Sequence, residues 1–319
     1  MKRLRAAVIG VGYLGRFHAQ KYAALPEVEL IAVVDENGAR AAEVSAALGC
    51  RAVTDLASVL REIDLASIVV PTEHHYGVAR ACLDAGVHVL VEKPVTRTIA
   101  EADELIAAAK ARGLVFQVGH VERFNPALLA LQGVLAKPLF IESYRLASYK
   151  PRGTDVDVVL DLMIHDIDII LNLVQSEIAD VRPTGFPVLT DEVDIGHARI
   201  EFASGCVANV TASRVSDKAM RKVRVFQQDA YLSLDLHNPK FVCWRRVRDA
   251  DGAARLASEE QTFPQADLLL EEVRAFVKSV RQGTPPLVSG VDGKRALEVA
   301  LRISAGMGQA WPPVERAAR

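Results

Sequence analysis

The sequence predicts an α/β protein in two parts: an N-terminal doubly wound parallel sheet, then a C-terminal α+β domain with a large, open, mainly antiparallel sheet. Three observations carry this prediction. Up to about residue 120, short β-branched runs alternate with Ala-rich helical stretches, the rhythm of a parallel sheet covered on both faces. Beyond 120 the strands alternate apolar and polar residues, as strands with one solvated face do. Between the first strand and the first helix lies Gly10-Val11-Gly12-Tyr13-Leu14-Gly15.

In order, the first part offers strands at 6–9, 30–34, a short one near 51–53, 66–70, 87–91 and 114–118, with helices over 37–48 and 99–112 among those between them. Right-handed crossovers wind such a chain into a doubly wound sheet. The second part, 121–319, offers strands at 140–146, 198–202, 207–211, 223–226 and 231–235. Ser204-Gly205 forms a hairpin turn between two of them. Helices are expected near 156–174, 266–282 and 291–308. A bare face on the open sheet predicts a homo-oligomer, a homodimer or homotetramer formed through the C-terminal sheet.

The bulk numbers narrow the function classes. The chain has 319 residues, half of them hydrophobic, and a formal net charge of −2, so it carries no basic field for nucleic acid or an anionic membrane. No apolar run reaches the roughly 18 residues of a membrane span. Glycines and polar residues soon interrupt the apolar run after the basic N-terminus, with no small-residue cleavage site, so no signal peptide is expected. Cys50, Cys82, Cys206 and Cys243 are scattered, with neither a disulfide frame nor a zinc spacing. A cytoplasmic location is the expectation that follows.

The glycine motif has a strand before it and a helix after it, the context of a dinucleotide site. Gly10 permits a tight turn, Gly12 lets a pyrophosphate approach, and Gly15 allows close helix–strand packing. Tyr13 and Leu14 lie inside the motif. Asp35 ends the second strand, about 20 residues on, where a carboxylate can accept the ribose hydroxyls. It favours NAD over NADP, although Arg40 nearby could soften that preference. Asp is also a good helix N-cap. Pro71 and Thr72 follow the fourth strand and should border the nicotinamide half. His74, His75 and Tyr76 come next, and a polar helix start is the simpler reading of these three.

Glu92-Lys93-Pro94 closes the fifth strand. A lysine at the carboxyl end of a parallel strand stands at the ligand crevice, and Pro94 holds the backbone there. An idle, solvated lysine is the alternative. Asp161 and His165 lie four apart on a helix, hence on one face. His165 suits a general base, and Asp161 suits the partner that orients it or binds substrate. Asp168 extends the polar face. A metal set of Asp161, His165 and Asp168 is the lesser alternative, and no metal is expected. An ion-paired structural histidine is another.

The glycine motif, Pro71-Thr72 with His75, Glu92-Lys93-Pro94 and Asp161-x-x-x-His165, in this order and over nearly the whole chain, resemble the Gfo/Idh/MocA oxidoreductases. The resemblance implies an N-terminal Rossmann domain, a C-terminal open-sheet domain, Lys93 as the family's motif lysine, and Asp161 and His165 as its catalytic pair. It also implies an NAD-dependent dehydrogenase acting on a secondary alcohol. The runs 118–126 and 150–157 resemble the sugar-nucleotide branch, in particular UDP-N-acetylglucosamine 3-dehydrogenases, which supply a 3-keto sugar on the way to diamino-sugar lipid A. Lys150 and Arg152 could then meet a diphosphate, and Arg123 and Asn125 a polar substrate. Their plain alternatives are solvated charge and, for Asn125-Pro126, a helix start; Arg214 has the same two readings. An inositol or free-sugar dehydrogenase would share these motifs, and an NAD-binding sensor would need only the glycines.

Overall fold

A computed structural model describes residues 2–149, 156–248 and 252–307. The chain divides into two compact units, Met1–Phe124 with Asp267–Leu297, and Asn125–Ala266 with Glu298–Arg319.

The first unit contains β1 (Leu4–Ile9), α1 (Gly15–Ala24), β2 (Val28–Val34), α2 (Gly38–Leu48), β3 (Arg51–Val53), β4 (Leu65–Ile68), α3 (Thr72–Asp84), β5 (His88–Glu92), α4 (Ile99–Arg112) and β6 (Phe116–Gly119). All six strands are parallel, in the order β3-β2-β1-β4-β5-β6. The order reverses between β1 and β4, the switch point at which such sheets open a crevice. Local chemistry sets the helix limits. Asn37 caps α2 by accepting the Arg40 N–H, and Gly49 ends it in the left-handed region at φ 68°. Thr98 and Glu101 close a reciprocal capping box on α4.

The second unit contains α5 (Pro126–Leu129), β7 (Pro138–Leu146), α6 (Ile164–Val174), β8 (Ile178–Phe186), β9 (Ile195–Phe202), β10 (Val207–Ser213), β11 (Met220–Gln227), β12 (Ala230–Asp235), β13 (Lys240–Arg248) and β14 (Ala254–Thr262). Its sheet runs β14-β13-β12-β11-β7-β10-β9-β8. Only the β7–β10 pair is parallel. The alternation in β9 is literal, every second residue being buried. The β9–β10 hairpin turns at Gly205, φ 86°.

Three strands went unpredicted for physical reasons. β8 holds Pro183 and Gly185, which break its pattern; β13 ends in a charged run; β14 is a polar edge strand, exposed along nearly all its length. The remaining helices are α7 (Leu268–Gln282) and α8 (Gly290–Met307). A division at residue 120 assigned α7 to the second part, but α7 returns to the first unit. Its Val273, Phe276 and Val277, spaced for one helical face, enter the core built on Val8, Tyr22, Leu65 and Leu90.

Candidate active site

The glycine turn leaves β1 and enters α1. Gly10 has φ 83°, and a Cβ there would stand 2.6 Å from the Val69 carbonyl oxygen. A Cβ on Gly15 would lie 1.8 Å from the Gly10 carbonyl oxygen. Neither position admits a side chain without moving backbone. At Gly12 the geometry is the opposite: a Cβ would meet nothing within 4 Å. Gly12 therefore presents bare backbone to a cleft of about 470 Å³, lined also by Gly10, Asp35, Arg40, Pro71 and His74. Leu14, at the α1 cap position, provides no side-chain cap; the Arg16 and Phe17 N–H groups turn back to the Gly12 and Leu14 carbonyls, and the helix start still points its positive dipole end at the turn. Tyr13 is exposed, its ring edge-on to Phe17.

Asp35 is buried at the cleft wall. One carboxylate oxygen accepts the Val11 N–H and the other the Asn37 N–H, both at 2.9 Å, and Arg40 lies 3.4 Å away. Since Asn37 does the capping, Asp35 is not the α2 cap. Arg40 Nη1 donates to both oxygens, so each accepts one backbone N–H and shares the guanidinium. These residues fit a dinucleotide: an open glycine cradle at a helix start, with a fixed acid one strand away.

Pro71 precedes α3, and Thr72 is its first residue. His74 lines the cleft, whereas His75 is buried beneath it. The His75 ring nitrogens lie 2.9 Å from the Pro94 and Val70 carbonyl oxygens, between the loops after β4 and β5, and the neutral ring donates to one of the two. Burial holds its imidazole below the ordinary histidine range.

Glu92 is the last residue of β5, and half-buried Lys93 follows, joined to Pro94 by a cis peptide. His120 lies just past β6. Burial, then the Lys93 charge, lowers its pKa from 6.5 to about 3. A histidine held neutral binds no proton where the unfolded one does. Stability contributed by this group is complete above pH 6.5 and is lost as pH falls toward 3. The expected slope is about 1.4 kcal/mol per pH unit for one proton. His120→Phe should flatten the acid side of a stability-versus-pH curve from denaturant titrations; an unchanged slope would remove His120 from that account.

Arg123 is buried and donates to the Leu287 carbonyl at 3.2 Å. Asn125 caps α5 by accepting the Ala127 N–H, and its amide donates to the Leu236 carbonyl at 3.0 Å. The helix-start reading thus describes Asn125 in its own unit.

In the second unit, Asp161 lies in a π-helical turn, Val159–Met163, that runs into α6, and His165 is the second residue of α6. Both are half-buried. The expected plain helix over 156–174 is therefore wider at its start. Such π turns interrupt helices preferentially at functional positions. Beneath them Asp166 is fully buried, ion-paired with Arg145 and accepting from the Ser143 hydroxyl at 2.6 Å, which fixes the first turn of α6 to β7. Asp168 is also buried. Among the described residues no group of three His, Cys, Asp or Glu side chains is placed to hold a metal ion. Arg214 is buried, donating to the Val156 carbonyl at 2.6 Å beside Asp194. Lys150 and Arg152 lie outside the described residues. No described helix is long and apolar enough to cross a membrane.

Two polar residues that the sequence reading passed over are drawn in. His18, three residues beyond Gly15, and Ser67, inside β4, are both fully buried in the first unit. An interior-facing histidine in an otherwise apolar helix face was the available signal.

Comparison with known proteins gives two family matches: "Oxidoreductase family, NAD-binding Rossmann fold" over residues 4–120, and "GFO/IDH/MocA C-terminal domain" over 140–233. A UDP-N-acetylglucosamine 3-dehydrogenase of Acidithiobacillus ferrooxidans is 43% identical, over 95% of this chain and 97% of that protein. The solved structure of UDP-N-acetylglucosamine 3-dehydrogenase from A. ferrooxidans superposes with a TM-score of 0.90 at 42% identity, covering 96% of this chain and 98% of that one. A scyllo-inositol 2-dehydrogenase (NAD(+)) of Bacillus subtilis is 29% identical, over 94% and 92% of the two chains.

Proposed function

This chain belongs to the Gfo/Idh/MocA family of oxidoreductases, and from that membership we propose that it oxidises C3 of UDP-N-acetylglucosamine to the 3-keto sugar. It is a dehydrogenase acting on CH–OH groups. The observation that supports the nucleotide-sugar substrate is the 43% identity, over nearly the full length of both chains, with an enzyme of that name. The inositol dehydrogenase relative is more distant, at 29%.

Gly10, Gly12 and Gly15, with the α1 start, would hold the pyrophosphate of the cofactor, Asp35 the adenosine ribose, and Pro71, Thr72 and Lys93 would border its nicotinamide. Bound nicotinamide supplies the hydride acceptor. His165 takes the hydroxyl proton as the carbon loses hydride and its C–O bond becomes a carbonyl. The Lys93 ammonium stabilises the developing alkoxide, and Asp161 orients His165 or the sugar. Arg123, Asn125, Lys150 and Arg152 are the proposed contacts to the rest of the nucleotide sugar.

The cofactor is NAD on this reading, because a carboxylate already fixed by two backbone donors repels a 2′-phosphate. Losing a charged hydrogen bond costs about 1.5–3 kcal/mol, or about 10–100-fold. Asp35→Ser should lower kcat/KM for NAD by that factor and raise it for NADP. An unchanged cofactor ratio in steady-state kinetics would remove Asp35 from this role.

The proposed enzyme is a cytoplasmic homo-oligomer in the diamino-sugar lipid A route. Support for assembly comes from a shallow apolar groove on the second unit's sheet, where Tyr231 of β12, Trp244 of β13 and Leu256 of β14 meet. Trp244→Asp with Leu256→Asp is expected to yield monomer by light scattering; an unaltered particle mass would rule out this surface.

The substrate assignment is tested by reduced-cofactor formation over UDP-N-acetylglucosamine, inositols and free aldoses. Turnover confined to the nucleotide sugar is expected. Turnover of an inositol alone would move the enzyme to the other branch, and tight NAD binding with no turnover would make it a sensor.

A further inference from the structure

Behind Lys93 the first unit contains a chain of buried polar groups that the proposed reaction leaves unused. The Tyr22 hydroxyl lies 2.9 Å from the Ser67 hydroxyl, and Ser67 lies 3.1 Å from His18 Nδ1. His18 Nε2 lies 3.1 Å from Glu92 Oε1, while the other Glu92 oxygen accepts the Lys93 backbone N–H at 3.3 Å. Tyr22, Ser67 and His18 are all fully buried. His18 and Tyr22 are four apart on α1 and face the same way.

The chain has a direction. An ionised carboxylate only accepts, so His18 Nε2 carries the donated proton in either protonation state of the ring. With one ring proton, Nδ1 accepts from Ser67, and Ser67 accepts from Tyr22. Every donor in the line is then used, and the line ends on Glu92. The carboxylate is also wedged: a Cβ on Gly119 would stand 2.7 Å from Glu92 Oε1. Burial is the largest influence on the Glu92 carboxyl and pushes it up, but the interactions with His18, the Lys93 charge and the Lys93 backbone N–H together hold it below the usual range.

We propose that His18, backed by Ser67 and Tyr22, is a positioning residue that holds Glu92 as the counter-charge of Lys93. Other charged or titratable groups bear on this cluster. Buried Glu272 of α7 is pushed well above the usual carboxylate range by burial and then by Glu92, so Glu92 is the anion of the two. His75 of α3 feels the Glu92 charge. His120, which follows β6, feels Lys93 and Glu92 together with Arg123 and Asp292. None of these donates the hydrogen bond that His18 gives. The importance of the Lys93 charge for turnover rests on the proposed catalytic role of that lysine; the His18–Glu92 coupling does not.

The test reads Lys93 directly. Full-length protein without substrate is labelled at neutral pH with trinitrobenzenesulfonate, which attacks only the free amine, and Lys93 is followed by peptide mass spectrometry. Losing an adjacent counter-charge lowers an amine pKa by about one unit or more, so Glu92→Gln should label about ten-fold faster. His18→Phe destabilises the carboxylate form of Glu92 and should speed labelling several-fold, whereas His18→Gln, which retains an N–H donor, should stay near the wild-type rate. The double variant His18→Phe/Glu92→Gln should match Glu92→Gln alone, because His18 acts through Glu92. In turnover, His18→Phe should move the alkaline limb of the pH profile, where Lys93 gives up its proton, toward lower pH rather than lower the profile uniformly. If the Phe variant does not fold, His18→Leu makes the same test. A wild-type labelling rate in the apolar variant, or additive effects in the double variant, would overturn the proposal. Full turnover by Lys93→Met would overturn the role of the lysine instead and leave the labelling results standing, so the two failures are distinguishable.

Discussion

Lys93→Met is expected to lower kcat by about 10²–10³-fold, the usual consequence of removing one preorganised donor to a developing oxyanion. Binding of NAD should change by no more than a few-fold, because the glycine cradle and Asp35 remain. The variant should also fold: Lys93 is half-buried at a strand end, and methionine keeps its apolar stem. Stopped-flow turnover with a parallel cofactor titration separates the two effects. A loss confined to cofactor affinity would turn Lys93 into a binding residue, and wild-type turnover would remove it from the site.

His165→Asn has the second largest expected effect. Loss of a general base costs about 10²–10⁴-fold in kcat. The pH profile carries the sharper information. Wild-type turnover should fall on the acid side as the imidazole takes a proton and can no longer accept one from the alcohol. In the variant the residual rate should be flat over that range. Asp161→Asn should lose less and keep the acid limb, since it leaves the base in place. The buried Asp166, fixed to Arg145 and Ser143, holds the helix start on which both residues sit, so neither substitution disturbs the fold of α6.

What was legible in the sequence was what is local. The glycine turn, the acid at the end of β2 and the alternation in β7, β9 and β10 each depend on residues within one element. The hidden features depend on distance along the chain. His18, Ser67 and Glu92 come from a helix and two different strands and meet only because β1, β4 and β5 are neighbours in the sheet. The amphipathic spacing of α7 announces a buried face without naming the core it joins, and α7 goes to the first unit. Polar β14 has no apolar face to betray it, and its pairing with β13 supplies the strand. For the site itself, residue type and order pointed to Lys93, Asp161 and His165, but the π turn under Asp161 leaves no trace in spacing. Asn125 also serves the α5 cap and donates to the Leu236 carbonyl, a long-range contact that its place in the motif does not announce.

Hydride transfer from C3 of a nucleotide sugar can be followed by isotope transfer. UDP-N-acetylglucosamine carrying deuterium at C3 is oxidised with NAD, and the reduced cofactor is weighed by mass spectrometry. One deuterium is expected in the reduced nicotinamide, with a ketone at C3 of the product sugar. Reduced cofactor without deuterium, formed alongside product, would contradict hydride transfer from C3.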